Sequence, residues 1–233
     1  MYAREIDGKV YDFGVSGKLI MNVLVMYDRQ TESYWSQLLG ESVEGELRGT
    51  RLEFVQSWFT TWDEWKERHP DTVALDKGGS YRTDSYEGYY AGNDTGIISE
   101  TVSDNRLPAK EFVIGVADEE GNAIAYPFTE LRQQPVVNDT LGNEAVLVVF
   151  ITDAATGLAY ERDVDGQTLT FTYNPNDDDT LTDNETGTIW DAWLGIAIEG
   201  ELEGQILRRV PSTRSFWFGW KDWYPDTQLF NTR

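Results

Sequence analysis

At 233 residues, with 41 acidic against 19 basic side chains, the chain carries a net charge of −22 and contains no Cys. Such a balance argues against nucleic-acid partners, which need a basic face to neutralise phosphate, and against anionic membrane surfaces. The absence of Cys excludes disulfides and thiolate metal sites, and a chain of this length buries enough surface to hold a core without them.

No apolar run approaches the ~20 residues that a membrane helix needs, and no basic-then-apolar leader opens the sequence. Cations, neutral glycans and further copies of the chain are the partners that an acidic surface favours. Only six of the basic residues are Lys, a composition that also suits a high-salt environment.

In chain order, "KVYDFGV" (9–15), "KLIMNVLVMYD" (18–28) and "RLEFVQSWF" (51–59) are β-branched or aromatic runs bounded by turn residues, and are predicted strands. "TTWDEWKERHPDT" (60–72) is predicted helix. Thr60 is its expected N-cap, Trp62 and Trp65 share a face, and Pro70 stops it. His69 is the only His, so a His-based general base or triad would have to use it. Its place at a helix end favours packing.

The connector "SYRTDSYEGYYAGND" (80–94) sets Tyr81, Tyr86, Tyr89 and Tyr90 among small polar residues. Tyr-rich loops offer large contact area at small entropic cost. These rings suit stacking on sugars or on another subunit, and equally suit pinning the connector to the core. Beyond it, "EFVIGVA" (111–117), "NAIAY" (122–126) and "EAVLVVFITD" (144–153) are predicted strands. The turns "DGK", "EEGN", "LGNE" and "VDGQ" are predicted hairpin connections.

The chain then repeats itself. With Trp35 set on Trp190 (190 − 35 = 155), "EGELRG" (44–49) falls on "EGELEG" (199–204), and Trp62, Trp65, Lys66 and Pro70 fall on Trp217, Trp220, Lys221 and Pro225. In the second copy Ser215 is the expected helix N-cap. Upstream, with a shift of three residues, "YAREIDGKVYDF" (2–13) matches "YERDVDGQTLTF" (160–171). The second copy has a 48-residue lead-in (110–157) that the first copy lacks.

Within the second copy, "NPNDDDTLTDNE" (174–185) places oxygen ligands at the spacing of an EF-hand loop: Asn174, Asn176, Asp178, the Thr180 carbonyl and Glu185. Asp179 stands where such loops carry Gly, so Ca²⁺ and a plain solvated loop are both open readings. Glu44 and Glu46, repeated as Glu199 and Glu201, are a candidate carboxylate pair for glycan hydrolysis, or the outward residues of a turn. Asn-x-Ser/Thr triplets begin at Asn93, Asn138 and Asn184.

"FGVSGKL" (13–19), "LVMYDRQTESYWSQ" (24–37), "TTWDEWKERHPDT" (60–72), "YEGYY" (86–90), "DNRLPAKEFVIGV" (104–116), "AYPFTEL" (125–131) and "VNDTLG" (137–142) keep the order of a known pattern. Together they resemble a bacterial and archaeal family catalogued as a domain of unknown function, number 3179 in that series. The resemblance implies a β-rich, often exported protein with no established activity. Two features of that family are missing. The Cys-Pro-Leu-Cys-like stretch that precedes the match to "YAREIDG" is absent, and Gln134 and Pro135 stand where relatives often carry His-Glu.

The fold expected is mainly β with a few short helices. Two related β units, 1–79 and 110–233, are joined by the connector 80–109, each unit being capped by its Trp-bearing helix. The function expected is a non-enzymatic structural or interaction module, extracellular or in the cell envelope, forming homo-oligomers through the incomplete first sheet. A carbohydrate-binding module using the Tyr loop, and a carboxylate-dependent glycan hydrolase, are the alternatives.

Overall fold

A computed structural model describes residues 1–55, 57–76, 78, 86–92, 94–174 and 177–231. The chain opens with a hairpin, β1 (Glu5–Ile6) and β2 (Lys9–Val10). It continues as a four-stranded antiparallel meander of β3 (Phe13–Ile20), β4 (Val23–Asp28), β5 (Tyr34–Ser36) and β6 (Glu41–Glu44). Helix α1 (Trp62–Arg68) follows, and a short α2 (Glu87–Ala91) lies in the connector. The lead-in folds as β7 (Phe112–Ala117), β8 (Ala123–Pro127), α3 (Phe128–Leu131), β9 (Val136–Leu141) and β10 (Glu144–Ile151), and β11 (Thr156–Glu161) completes a sheet with β9 and β10.

The opening pattern then returns. A hairpin of β12 (Asp163–Val164) and β13 (Gln167–Thr168) precedes a meander of β14 (Phe171–Asn174), β15 (Asp177–Asp183), β16 (Ile189–Asp191) and β17 (Ile196–Glu199). The chain ends through β18 (Ser212–Phe216), α4 (Trp217–Trp223) and β19 (Gln228–Leu229). The molecule is thus mainly β with four short helices among the described residues.

Local chemistry recurs with the strand order. Asp7–Gly8 and Asp165–Gly166 all have positive φ, which two-residue turns of type I′ require and which Asp-Gly supplies with little strain. Asp28 and Asp183 are fully buried carboxylates, each closing the loop after its strand. Asp28 accepts from the Thr31 amide at 2.6 Å and Trp35 Nε1 at 3.0 Å, and Asp183 from the Thr186 amide at 2.6 Å and Trp190 Nε1 at 2.9 Å. A buried carboxylate is tolerable because the Trp, Thr hydroxyl and backbone donors satisfy it.

The two regions differ in what covers them. Sheet β18–β7–β8–β19 is sandwiched in the second unit. One face packs on β9–β10–β11 through Ile114, Val116, Tyr126, Val148 and Phe150. The other face takes α4 through Val113, Ala125, Trp217 and Trp220. Gly115 is obligatory there, since a Cβ would stand 2.2 Å from the Trp220 ring. Every buried member of the three core clusters lies at or beyond residue 113.

Three local expectations need correction. Among the described residues, the run 51–59 forms only isolated bridges, Glu41 with Arg51 and Tyr2 with Phe54, and 57–59 has no counterpart of β7 to pair with. The α1 N-cap is Thr61, whose hydroxyl accepts from the Glu64 amide at 3.3 Å, while the Thr60 hydroxyl is buried without a partner. At α4 the cap position is Phe216, with no side-chain cap, since pairing of β18 with β7 holds Ser215 and Phe216 in the strand.

Candidate functional site

Helix α4 is buried along six of its seven residues, and α1 along none. Trp217 is 0% exposed and its counterpart Trp62 48%. Both helices make the same internal contacts. Trp65 Nε1 donates to Thr72 at 3.0 Å and Trp220 Nε1 to Thr227 at 2.9 Å. Trp65 lies 4.1 Å from the His69 ring, and Trp220 lies 4.3 Å from Tyr224. His69 is therefore a packing ring in the position that Tyr224 fills, and its buried Nε2 has no hydrogen-bond partner among the described residues.

The segments flanking α1 match those flanking α4. Adding 155 carries 57–61 onto β18 and 73–74 onto β19. In the second unit these two strands stand on either side of the β7–β8 hairpin. In the first unit no strand among the described residues lies between them, and Val73 and Leu75 are 89% and 83% exposed. Helix α1 leans instead on the second unit. Arg68 pairs with Asp179 at 2.6 Å and lies 4.2 Å above the Trp193 ring, which also packs on Trp58. Burial works against the Asp179 carboxylate, but bonds from Arg68 and Trp193 hold it below its ordinary range.

A cleft of about 810 Å³ opens between the two units. Its first-unit wall is the inner face of β3–β4, with Phe13, Leu24 and Met26. The counterparts of Phe13 and Met26, Phe171 and Leu181, share a core with Leu147 and Val149 of β10, a strand for which the first unit shows no equivalent among the described residues. The opposite wall is β18, which presents Arg214 between the Phe59 and Phe112 rings, at 4.0 and 4.3 Å. Arg214 is a residue that sequence reasoning missed. "STRSF" carries no signal for it, and only the fold stacks it in a cleft.

The sequence-predicted site residues scatter. Tyr81 and Asn176 lie outside the described residues. Tyr86 and Tyr90 are 63% and 58% exposed, whereas Tyr89 is turned inward against Phe216 and under Lys110. Within the predicted loop, Thr180–Asp183 are strand: β15 pairs there with β14 and β16, as β4 pairs with β3 and β5 in the first unit. Asn174 donates to the Thr180 hydroxyl at 3.0 Å. Glu185 turns away to accept from the Thr170 amide and hydroxyl, both at 2.8 Å. The backbone of Asp178 lies within β15. Among the described residues no group of three or more His, Asp or Glu is gathered as a metal site would gather them. Glu44, Glu46, Glu199 and Glu201 are exposed, the first of each pair at the end of β6 or β17, and none lines the cleft between the units.

Residues 1–227 match the family described as Protein of unknown function (DUF3179). The chain belongs to that family. No curated protein and no solved structure matches. Membership in DUF3179 therefore brings no activity with it, and the chemistry has to be read from the uncovered helix and the cleft. No helix among the described residues is long and apolar enough to cross a membrane.

Proposed function

We propose that the chain is a non-enzymatic interaction module that works outside the cytoplasm, and that its first unit binds a β-hairpin beside α1. The observation that supports this reading is the pair of matching frames, one filled by β7–β8 and one open. An unpaired edge with an apolar helix face next to it recruits strands from other chains. The hairpin recognised would pair antiparallel to 57–61 and parallel to 73–74, and would carry a Gly where it crosses Trp65. Self-association is the form of this that needs no second protein. Two copies would join their 57–61 edges about a two-fold axis.

The test is the solution mass by light scattering, with and without a synthetic peptide of residues 110–131. A dimer or larger species that the peptide dissolves supports self-association through this edge. A monomer that binds the peptide supports a hairpin from another chain. A monomer that ignores the peptide overturns the reading.

The exposed Tyr86 and Tyr90 rings favour a second reading, glycan binding at the connector. Binding to an oligosaccharide panel that is lost in Tyr86→Ala/Tyr90→Ala supports it, and a panel without any binder removes it.

A further inference from the structure

The cleft between the units differs in charge from the rest of the molecule. The chain carries 41 acidic residues, yet among the described residues no Asp or Glu lines this cleft, and Arg4, Arg209 and Arg214 do. Two further clefts are rich in carboxylates, with Glu64, Glu67, Asp153 and Asp179 in one and Glu119, Glu120, Glu144 and Glu161 in the other. A random share of the surface would put several carboxylates in a cleft of this size.

The three arginines are not equivalent. Arg4 is exposed and paired with Asp12. Arg209 donates to the Trp193 carbonyl at 2.9 Å and lies over Tyr160. Arg214 has neither an ion pair nor a hydrogen bond among the described residues, and its Nε is buried without a partner. Its guanidinium is held between rings, with Phe128 at 5.2 Å as a third. Ring stacking fixes the plane of a guanidinium and leaves its N–H edge free to donate. Removing such a cation from water without an anion is costly.

We propose that this cleft binds an amphipathic carboxylate, the carboxyl accepting a two-point hydrogen bond from Arg214 and the apolar body lying on Phe13, Leu24 and Met26. A planar carboxylate matches one guanidinium edge in both shape and charge. Multiply charged anions would need donors that the apolar wall does not supply. The volume, about 810 Å³, lies within the range of small-molecule sites. The site borders the 57–61 edge through Phe59, but its carboxylate contact is made by Arg214 of β18, so a variant at Arg214 tests it apart from strand pairing at that edge.

The probes are octanoate, 1-octanol and octylammonium, titrated calorimetrically into the full chain. Octanoate should bind about tenfold or more tightly than octanol, since a charge-assisted pair is lost with the alcohol, and octylammonium should bind worst. In Arg214→Met the preference for octanoate over octanol should fall to within about twofold, with octanol still bound. Arg214→Lys should keep part of the preference, because it retains the charge and loses the fork. Arg214→Met should unfold at the same temperature as the parent or higher without ligand, which separates loss of binding from loss of fold. Equal binding of octanoate and octanol by the parent, a preference that survives Arg214→Met, or no binding of either at millimolar concentration would each overturn the assignment.

Discussion

Helices α1 and α4 share a Trp-x-x-Trp face, a Pro stop and the same indole-to-threonine bond, yet one is core and the other surface. The difference lies upstream of both. Helix α4 covers a hairpin that the lead-in supplies, and the connector also clasps it. Lys221 pairs with Glu100 and the Val102 carbonyl, and Asp222 accepts from the Thr101 and Val102 amides at 3.0 and 2.9 Å. The α1 counterparts, Lys66 and Glu67, are exposed. A helix of seven residues is too short to persist by its own propensity, so α1 rests on its contacts with Trp58, Trp193 and Asp179. The same sequence phrase can therefore be structural in one place and an available surface in another, according to what its neighbours supply.

That contrast can be broken most forcefully at the paired Trp residues. Trp217→Ala should cost about 3–5 kcal/mol, the range for deleting a fully buried aromatic. Trp62→Ala should cost less than about 1 kcal/mol, because half the ring is already in water. Urea unfolding of the two variants measures both. Similar losses would mean that α1 is as much core as α4.

The buried Asp residues sharpen the comparison from the other side, since both meanders carry the motif intact. Asp28→Asn and Asp183→Asn should each destabilise by about 2–3 kcal/mol, the cost of disturbing a buried charge-assisted network. The pH dependence has a definite sign. Burial pushes Asp28 up, but bonds from Trp35, Thr31 and Gln30 outweigh it and hold its carboxyl below the ordinary value. A depressed carboxyl stabilises the fold above the unfolded pKa, and that stability is lost as pH falls through the folded one. Urea midpoints should therefore be flat near neutrality and drop below about pH 4, with a smaller drop in Asp28→Asn.

Smaller effects belong to the anchor and cap of α1. Arg68→Ala should cost about 1 kcal/mol, because its pair with Asp179 is only partly buried, and should raise proteolysis near 58–72. Thr61→Ala should cost about 0.5–1 kcal/mol by removing the cap. Thr60→Ala should change little. The expected order, Thr61 above Thr60, checks the one-residue difference between the predicted cap and the observed one.

Much of this architecture was legible in the residues. The four hairpin turns and the helix with its Pro stop rest on local rules: Gly at positive φ in each turn, and Trp spacing ahead of a Pro. What was not legible depended on partners distant in the chain. β15 is strand although "DDDT" is a poor strand former, because Leu181 and Thr180 are buried between β14 and β16. Residues 57–59 read as strand and remain unpaired, because strand formation needs a neighbour as well as β-branched side chains. Arg214 carries no local signal at all. Its isolation from carboxylates exists only once β18, Phe59 and Phe112 come together.

Native-state hydrogen exchange of the two helices, read by mass spectrometry on peptides covering 61–69 and 216–224, tests the central claim most directly. If α1 is an uncovered copy of α4, amides of 216–224 should exchange only with global unfolding, and those of 61–69 through local opening at least a hundredfold faster, roughly 3 kcal/mol apart. Equal protection in the two peptides would contradict the account, since it would place α1 within the same cooperative core as α4.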